Sequence, residues 1–392
     1  MLPLAGITVI SIEQAVAAPF ASRQLADFGA RVIKVERPGT GDFARDYDGN
    51  VQGLSSWFVW LNRSKESLTL DLKHPDAQSI LERLLRRADV LIHNLAPGAP
   101  ERLGLASTSL NAKYPGLIVC EISGYGPAGP YSGKKAYDLV VQNETGLVSL
   151  TGTPDGPAKA GISAADIAAG MYAFTGILLA LRTREQTGRG GVLQVSLFDS
   201  LGEWLMPAAY TAAFSGHPPL RSGTEHASIA PYGPFECADG RWIVVAVQNE
   251  REWARFCSQV LAQPELVSDA RFRTNSLRSQ NREPLRAIVA AVLRTMSETQ
   301  AAERLDRAEI AHGNVNSVDD FWKHPQHGAR GQWREVDSPA GPLPALLPPI
   351  NLAGVDPRMD PVPGLGQHTE RILAELGYSA ESIESLHALG AV

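Results

Sequence analysis

The sequence has few cysteines and none of the spacings that hold metal ions. Its 392 residues include three cysteines, Cys120, Cys237 and Cys257, and no two of them lie close together in the chain. Structural zinc sites use cysteine and histidine at short, fixed spacings. The H-E-x-x-H pattern of zinc proteases is also missing. We therefore expect three buried free thiols and no metal site.

Long hydrophobic runs and an excess of positive charge are also missing. The formal net charge is −6, whereas nucleic-acid-binding domains present a basic face. No run approaches the ~18 uninterrupted apolar residues of a membrane span. Residues 1–21 lack the basic start of a signal peptide and carry Glu13 inside the apolar stretch. We expect a cytoplasmic protein that binds neither nucleic acid nor a membrane.

What is present is an alternation of strand and helix patterns. The composition, 44% hydrophobic and 20% charged, is typical of a globular protein, and the length favours two domains. Such alternation predicts a mostly parallel sheet with helices on both faces. Strands are predicted at 6–12, 31–35, 90–93, 117–122 and 192–198, and helices at 20–28, 75–87 and 167–182.

The pattern changes after about residue 205. Residues 233–237 and 241–247 flank Asp239 and Gly240, which is a hairpin signal, and a charge-rich helical stretch follows. We predict a large domain that begins with 1–204, a small inserted domain at 205–325, and a C-terminal segment, 326–392, that returns to the large domain.

The first strand, helix and strand raise the possibility of a dinucleotide site, with Glu36 on a ribose hydroxyl. Such a site also requires G-x-G-x-x-G at the first turn, so that the backbone can approach a pyrophosphate. Residues 13–19, EQAVAAP, contain no glycine. A Walker loop and a G-x-S-x-G elbow are missing too. The sequence therefore argues against an NAD enzyme, a P-loop nucleotidase and a serine hydrolase.

Several motifs instead occur in the order of one family. They are FGARVIKVERPG at 28–39, NRSKESLTLDLK at 62–73, NLAPG at 94–98, SGYG at 123–126, AYD at 136–138, ADIAAG at 165–170, TGRG at 187–190 and GLGQHT at 364–369. Together they resemble the class III CoA-transferase family (CaiB/BaiF), which includes formyl-CoA transferase. The resemblance implies an α/β fold: a large doubly wound, Rossmann-like domain built from both chain ends, plus a small inserted α+β domain. It also implies a homodimer whose two chains interlock as rings.

Asp166 comes just before a run of small residues at the start of the long predicted helix. Taken alone, it is typical of a helix N-cap, and the same helix end would keep its carboxylate ionised. The resemblance implies that Asp166 is the catalytic nucleophile. It would attack an acyl-CoA thioester to give an aspartyl-acyl anhydride, and the released CoA thiolate would return to give an aspartyl-CoA thioester. The reaction needs no metal or redox cofactor, because the CoA thioester is itself the substrate.

The resemblance also implies a set of CoA contacts. A basic residue taken alone is typical of a solvated surface, and only the family pattern singles these positions out. The implied CoA-binding residues are Val16, Arg37, Asn62, Lys65, Asn94, Arg102, Lys135, Ala136, Tyr137 and Asp138.

The acid substrate is indicated by residues 142–146, QNETG, which resemble family members acting on C4–C5 dicarboxylates. Succinate, malate, mesaconate, citramalate and itaconate are examples. A distal carboxylate needs a cationic or donor-rich partner, so Arg221 and His226 are candidates, and Glu144 would orient one of them. Each is also typical of a purely structural residue.

Two alternatives stay open at this point. The related 2-methylacyl-CoA racemases use the same aspartate together with a His–Asp dipeptide, where this chain has Tyr137 and Asp138. Because an ordinary tyrosine has a pKa of ~10, it is a poorer base than histidine for an α-proton at neutral pH. The transferase is therefore favoured over an epimerase. The other alternative is a non-catalytic acyl-CoA-binding protein.

Overall fold

The structure is a computed structural model that describes residues 1–217 and 219–392. Its strands are short, and β1, β2 and β4 of the main sheet follow segments rich in Val and Ile. In chain order the strands are β1 (Thr8–Ile12), β2 (Arg31–Glu36), β3 (Lys65–Thr69), β4 (Val90–His93), β5 (Ile118–Ser123), β6 (Gly152–Thr153), β7 (Gly156–Pro157), β8 (Gly191–Ser196), β9 (Tyr232–Glu236), β10 (Trp242–Ala246), β11 (Ala311–Asn314), β12 (Trp333–Val336) and β13 (Leu343–Leu346).

The helices range from a single turn to 24 residues. They are α1 (Ala17–Asp27), α2 (Ser56–Asn62), α3 (Ala77–Leu85), α4 (Ala99–Arg102), α5 (Ser107–Lys113), α6 (Asp138–Glu144), α7 (Leu147–Leu150), α8 (Ala164–Thr187), α9 (Leu197–Trp204), α10 (Met206–Phe214), α11 (Glu250–Arg255), α12 (Asn275–Gln280), α13 (Arg282–Leu293), α14 (Glu298–Arg307), α15 (Val318–Trp322), α16 (Pro325–Ala329), α17 (Thr369–Glu375) and α18 (Ala380–Ala388). Short 3₁₀ turns occur at Phe43–Asp46 and Pro264–Val267, and a π-helical turn at Phe256–Val260.

The chain divides into two compact units. The first contains Met1–Gly146, Ala160–Pro207 and His327–Val392, and the second contains Leu147–Lys159 and Ala208–Gln326. The sequence placed the small domain at 205–325 and did not anticipate the segment 147–159. That segment consists of the one-turn α7 and a hairpin of two-residue strands, which are too short to leave a periodic pattern.

The first unit is built on a six-stranded sheet, as the family resemblance implied. Its strand order is β3-β2-β1-β4-β5-β8, and every pair is parallel. This is the strand order of doubly wound folds. Strands β2 and β3 are added on one side of β1 and the later strands on the other side, so the order reverses between β1 and β4. The strand interiors are buried because helices cover both faces of such a sheet.

The edge strand β3 was not predicted. The C-terminal segment covers its outer side: the Ser67 amide donates to His368 Nδ1 at 3.0 Å, and the Thr69 amide donates to Thr369 Oγ1 at 2.9 Å. These bonds satisfy edge groups that would otherwise be free to pair with another chain. The strand is held by residues about 300 positions away, and its local pattern gives no sign of this.

Helix α8 packs closely against α1 because its facing residues are small. A Cβ atom on Gly170 would lie 2.7 Å from the Ala17 carbonyl oxygen, so only glycine fits there. By length and hydropathy α8 is the one helix of residues 1–217 and 219–392 that could cross a membrane. Half of its most apolar window is buried in the fold, and core helices often have the same composition.

The second unit has its own core and a three-stranded antiparallel sheet, β11-β10-β9. The predicted hairpin forms with Ile243 opposite Phe235. Trp253 and Phe256 are buried in the core. The fully buried Arg278 guanidinium donates to Glu250 Oε2 at 2.8 Å and to backbone carbonyls, so its charge is compensated.

Candidate active site

A cleft of the first unit, lined by both polar and apolar residues, lies at the carboxyl ends of β1, β4 and β5. It has a volume of about 560 Å³ and is lined by the loops that follow these strands, together with Asp166 at the start of α8. In open α/β sheets, ligands bind outside the carboxyl ends of the strands, where the strand order reverses. The cleft occupies that position between β1 and β4.

The turn between β1 and α1 forms one wall and is held in a strained conformation. Ala15 has φ +61°, in the left-handed region that favours glycine. Three hydrogen bonds stabilise the turn: Gln14 N–H donates to Asn94 Oδ1 (2.9 Å), Asn94 Nδ2 donates to the Gln14 carbonyl (2.7 Å), and Ala15 N–H donates to Asp42 Oδ1 (3.1 Å). The chain thus builds a sharp turn without the glycines of a dinucleotide site.

The nucleophile candidate is not the N-cap of its helix, contrary to the first interpretation of the sequence. Ser163 is the N-cap residue, and Asp166 lies within the first turn. The acceptor at this helix end is Asp138, whose Oδ1 accepts from the amides of Ala165 (2.8 Å) and Asp166 (3.4 Å). Gln142 Nε2 donates to the other Asp138 oxygen at 2.7 Å. A capping group contributed by a different helix leaves no local signal in the sequence.

The electrostatic state of Asp166 also differs from the expectation. Burial, with a smaller contribution from the nearby Asp138 carboxylate, raises the pKa of Asp166 from 3.8 to about 7. Desolvation therefore outweighs the helix dipole, whose effect is ~0.3–1 kcal/mol at an exposed site. A carboxyl group with this pKa is available in both its protonated and its ionised form near neutrality. Such a shift inside a cleft is typical of a functional group.

Half of the predicted CoA contacts meet in this cleft. The loop carrying Ala136 packs on the end of β5 because position 124 is glycine: a Cβ atom there would lie 2.2 Å from Ala136 Cβ. Tyr137 is 67% exposed. The predicted residues that line the cleft beside Asp166 are Val16, Asn94, Lys135, Ala136 and Tyr137.

Asn62 and Lys65 require correction, because both are buried in the core. Lys65 Nζ donates to Glu13 Oε1 at 2.7 Å, to Asn62 Oδ1 at 3.0 Å and to the Pro19 carbonyl at 3.1 Å. Neither side chain lines the cleft. Their motif was correctly noticed, but its partner, Glu13, is 52 residues away in the chain, so an ionic contact in the core was taken for a ligand contact.

Three other predicted CoA residues lie outside the cleft lining. Asp138 accepts hydrogen bonds from the first turn of α8, so it positions Asp166. Arg37 and Arg102 are exposed, Arg37 directly after β2 and Arg102 as the last residue of α4. Both belong to segments that follow strands of the sheet, Arg37 after β2 and Arg102 after β4, and neither lines the cleft.

The three candidates for the acid substrate are divided between the units. Glu144 is an exposed residue at the end of α6 in the first unit. In the second unit, Arg221 donates to the backbone carbonyls of Thr153 (2.7 Å) and Pro154 (3.2 Å). His226 stacks on Tyr232 with 5.1 Å between ring centroids. The contacts of Arg221 and His226 are those of structural residues.

Glu36, considered above as a ribose ligand, is occupied within the fold. Arg45 donates two bonds of 2.8 Å to its carboxylate, and Ser67 Oγ donates one of 2.6 Å. Although burial opposes ionisation, these partners and Lys34 lower the pKa of Glu36 to about 2. The carboxylate therefore serves as a structural anion, which agrees with the missing glycine fingerprint.

The cysteines are buried and free, as expected. Burial raises the pKa of the Cys257 thiol to about 12, so it stays protonated. Across residues 1–217 and 219–392, no group of three or more His, Cys, Asp or Glu side chains is placed to hold a metal ion. The titratable groups that line the cleft are carboxyl, imidazole, amine and phenol side chains.

Sequence reasoning missed several residues of the cleft. His93, Glu121 and Gln194 line it at the ends of β4, β5 and β8. Tyr47 lies near Asp166 but outside the cleft lining: burial, with smaller contributions from the charges of Asp42 and Asp166, raises the pKa of its phenol to about 12. The sequence could have indicated His93, Glu121 and Gln194, since polar side chains near the carboxyl ends of parallel strands tend to face ligands.

Known proteins match this chain over nearly its whole length. Residues 4–369 match the profile of CoA-transferase family III. A succinate–glutarate CoA-transferase from Agrobacterium fabrum is 34% identical over 386 residues, covering 95% of this chain and 96% of the relative. A succinyl-CoA–D-citramalate CoA-transferase from Chloroflexus aurantiacus is 31% identical over 397 residues, covering 98% and 97%. The crystal structure of a CaiB/BaiF family protein from Brucella suis has a TM-score of 0.83 at 35% identity, covering 96% and 99%.

Proposed function

Because the chain belongs to CoA-transferase family III and is a CoA-transferase, we propose that it moves CoA from a dicarboxylyl-CoA such as succinyl-CoA to a C4–C5 dicarboxylic acid, with Asp166 as nucleophile. The relatives named above act on succinate with glutarate and on succinyl-CoA with D-citramalate, which supports this substrate class. The observation that carries the proposal is the Asp166 carboxyl group, set in the cleft with a pKa near neutrality.

The proposed chemistry follows from a carboxylate meeting a thioester. The Asp166 carboxylate attacks the acyl carbonyl, the C–S bond breaks, and an aspartyl-acyl anhydride and CoA thiolate result. The thiolate attacks the aspartyl carbonyl of the anhydride, which releases the donor acid and leaves an aspartyl-CoA thioester. The acceptor carboxylate then repeats these steps in reverse. Covalent catalysis of this kind divides one difficult exchange into easier steps.

The surrounding residues have separate roles in this proposal. Asp138 fixes the first turn of α8 and so positions Asp166. Lys134 and Lys135 are the cations of the cleft lining and suit the phosphates of CoA through charge-assisted hydrogen bonds. Arg37, after β2, and Arg102, at the end of α4, are both exposed and are proposed to meet phosphates that extend beyond the cleft.

The interlocked homodimer implied by the family belongs to the same proposal. Light scattering in solution would then give twice the mass of one chain. A mass equal to that of one chain would remove the dimer and leave the chemistry of the cleft unaffected.

The proposal is tested by looking for the covalent adduct. Incubated with succinyl-CoA, the wild-type protein is expected to gain the mass of CoA bound as a thioester, and hydroxylamine should remove it. Asp166→Asn keeps the size of the side chain and removes the nucleophilic oxygen, so we expect no adduct and a loss of transfer of at least about 1,000-fold. Asp155→Asn, an exposed aspartate of the second unit, is the control and should behave as wild type.

Three results would redirect the assignment. Transfer within a few-fold of wild type in Asp166→Asn would exclude the covalent route. Enzyme-dependent deuterium uptake at the α-carbon of a 2-methylacyl-CoA in D₂O, without transfer to added dicarboxylates, would indicate the epimerase. Binding of CoA without adduct, transfer or exchange would indicate a non-catalytic acyl-CoA-binding protein.

A further inference from the structure

Asp42 is a buried carboxylate that holds two segments of the cleft lining at once. The residue is 1% exposed, and its Oδ1 accepts hydrogen bonds from the amides of Ala15 (3.1 Å) and Ala44 (2.9 Å). Ala15 belongs to the turn between β1 and α1, and Ala44 belongs to the 3₁₀ turn that carries Phe43. Ala15 and Phe43 both line the cleft, as Asp166 does. One oxygen atom therefore connects two parts of the lining.

The other oxygen of Asp42 is fixed from the core. Oδ2 accepts from Lys34 Nζ at 2.8 Å, and the Asp42 amide donates to Glu36 Oε1 at 3.0 Å. Lys34 is fully buried. Burial lowers its pKa, but the Asp42 and Glu13 carboxylates outweigh burial and raise it, so the ammonium group stays charged. The Asp42 carboxylate cannot turn away without leaving this buried charge short of a partner.

The turn that Asp42 holds has a backbone conformation that must be enforced. Ala15 has φ +61°, and this left-handed conformation is unfavourable for a residue with a Cβ atom. Such conformations persist where surrounding contacts impose them, and they are frequent at functional sites. Asn94 holds both backbone groups of the preceding residue, Gln14. The contact on the Ala15 amide itself comes from Asp42, 27 residues further along the chain.

The location of this turn matters for the chemistry proposed for Asp166. A thioester attacked by Asp166 must enter the cleft that Ala15 and Phe43 also line. Productive attack requires the reacting atoms to be ~3–3.5 Å apart and aligned, and a misplacement of ~1 Å can lower the rate about 100-fold. A displaced turn would change how the thioester carbonyl approaches the Asp166 carboxylate.

We propose that Asp42 is a positioning residue for CoA transfer. Its Oδ1 holds the turns of Ala15 and Phe43 in the places that attack by Asp166 requires, and Lys34 keeps the carboxylate in that orientation. Asp42 does not itself line the cleft, so it acts through the backbone that it holds. This inference rests on the proposed function, because it presupposes that a thioester is attacked in this cleft.

Two substitutions separate the hydrogen bonds of Asp42 from its charge. Asp42→Asn and Asp42→Ala both remove the charge opposite Lys34, but asparagine keeps an acceptor oxygen for the two amides. The assay is the exchange of labelled succinate into succinyl-CoA. We expect kcat to fall about 100-fold in Asp42→Ala and no more than about threefold in Asp42→Asn. The melting temperature should fall in both variants, because both leave Lys34 with fewer partners.

A second substitution tests whether the loss of rate comes from the turn. Glycine adopts a positive φ about as readily as a negative one, so Ala15→Gly should let the turn form without the contact to Asp42. Added to Asp42→Ala, it should raise kcat at least about tenfold, relative to the effect of Ala15→Gly alone. The melting temperature should stay low, because the ion pair with Lys34 is still missing.

The matched control is Asp27→Ala, at the opposite end of α1 from the residues that line the cleft. Asp27 is also fully buried, and it pairs with Arg63 at 2.8 Å. Its loss should lower the melting temperature and leave kcat unchanged. If Asp42→Ala fails to fold, Lys34→Met is added to both Asp42 variants, so that no uncompensated cation remains and the two can still be compared.

Each outcome decides the proposal. Equal losses of kcat in Asp42→Asn and Asp42→Ala, or no recovery with Ala15→Gly, would overturn the positioning role. A loss in Asp27→Ala as large as in Asp42→Ala would overturn it too, because general destabilisation would then explain both. Unaltered exchange in Asp42→Ala removes the positioning role and leaves the proposed function intact. A wild-type protein that neither exchanges label nor forms the CoA adduct would remove the proposed function itself.

Discussion

Asp138 and Asp166 are two carboxyl groups at one helix start with different tasks. Asp138 accepts backbone hydrogen bonds from the first turn of α8, whereas Asp166 is desolvated and its pKa is raised to about 7. Environments that shift neighbouring carboxyl groups differently allow one of them to act chemically while the other positions it. The sequence suggested both roles for Asp166 alone, and the structure divides them between the two residues.

This pair gives a prediction for the pH dependence of transfer. Only the ionised Asp166 is a nucleophile, so kcat/KM of the wild type should rise with pH through about 7. In Asp138→Asn the amide oxygen still accepts from the helix amides, but the negative charge is gone. The pKa of Asp166 then falls, and the rising limb should move to lower pH by on the order of one unit.

The control for that experiment is Asp138→Ala, which removes both the charge and the hydrogen bonds. It should lower kcat at every pH, because the start of α8 is no longer held. A rising limb that stays in place in Asp138→Asn would show that Asp138 does not act on Asp166 through its charge.

At the scale of elements, the approach of α8 to α1 positions both Asp166 and the turn that carries Ala15. Gly170 allows this approach, since an added Cβ would lie 2.7 Å from the Ala17 carbonyl and 2.9 Å from Phe20 Cδ1. Backbone atoms cannot move aside as a flexible side chain can, so the helices must separate if the position is filled.

We therefore predict that Gly170→Ala lowers the free energy of unfolding by about 1–3 kcal/mol, the usual effect of overpacking. The matched control is Gly202→Ala in α9, where an added Cβ meets no atom within 4 Å; helix propensity there favours alanine by up to ~1 kcal/mol. Denaturant unfolding of both variants measures the difference. Equal stability of the two variants would mean that α8 and α1 tolerate a larger separation than their contact suggests.

At the scale of the whole molecule, a buried ionic cluster connects strands that are distant in sequence. Glu13, after β1, accepts from Lys65 of β3 (2.7 Å) and Lys34 of β2 (3.3 Å), and Lys34 donates to Asp42 Oδ2 at 2.8 Å. Asp42 in turn accepts from the amide of Ala15. The cluster thus links the strands to the turn that forms one wall of the cleft.

Lys65→Met distinguishes this structural role from the CoA contact first predicted. Removing one partner of a buried ion pair leaves Glu13 partly uncompensated, so we expect a loss of stability of about 3 kcal/mol. The KM for CoA donors should be unchanged in the folded protein. Lys135→Met, in the cleft lining, should do the opposite and raise KM with little effect on unfolding. A raised KM with normal stability in Lys65→Met would restore Lys65 as a ligand.

The sequence predicted correctly the elements that depend on nearby residues, and it missed those that depend on contacts distant in the chain. The strand predicted at 90–93 is β4 with the same bounds, and the helix predicted at 167–182 forms the centre of α8. β3 was missed because its strand character depends on pairing with β2 and on cover from residues 368 and 369. Propensity alone does not fix a strand whose stability comes from its neighbours.

The sequence by itself determined the α/β class and, through motifs in a fixed order, the CoA-transferase family and the candidate nucleophile. Such features depend on residue type and spacing along the chain. Only the tertiary structure decided that Asp138 holds the helix of Asp166, that Lys65 belongs to the core, and that His93, Glu121 and Gln194 form one row. Their partners lie 27 to 73 residues apart in the chain. They meet because the sheet order β3-β2-β1-β4-β5-β8 and the packing of α6 on α8 bring them together, and no local pattern encodes that adjacency.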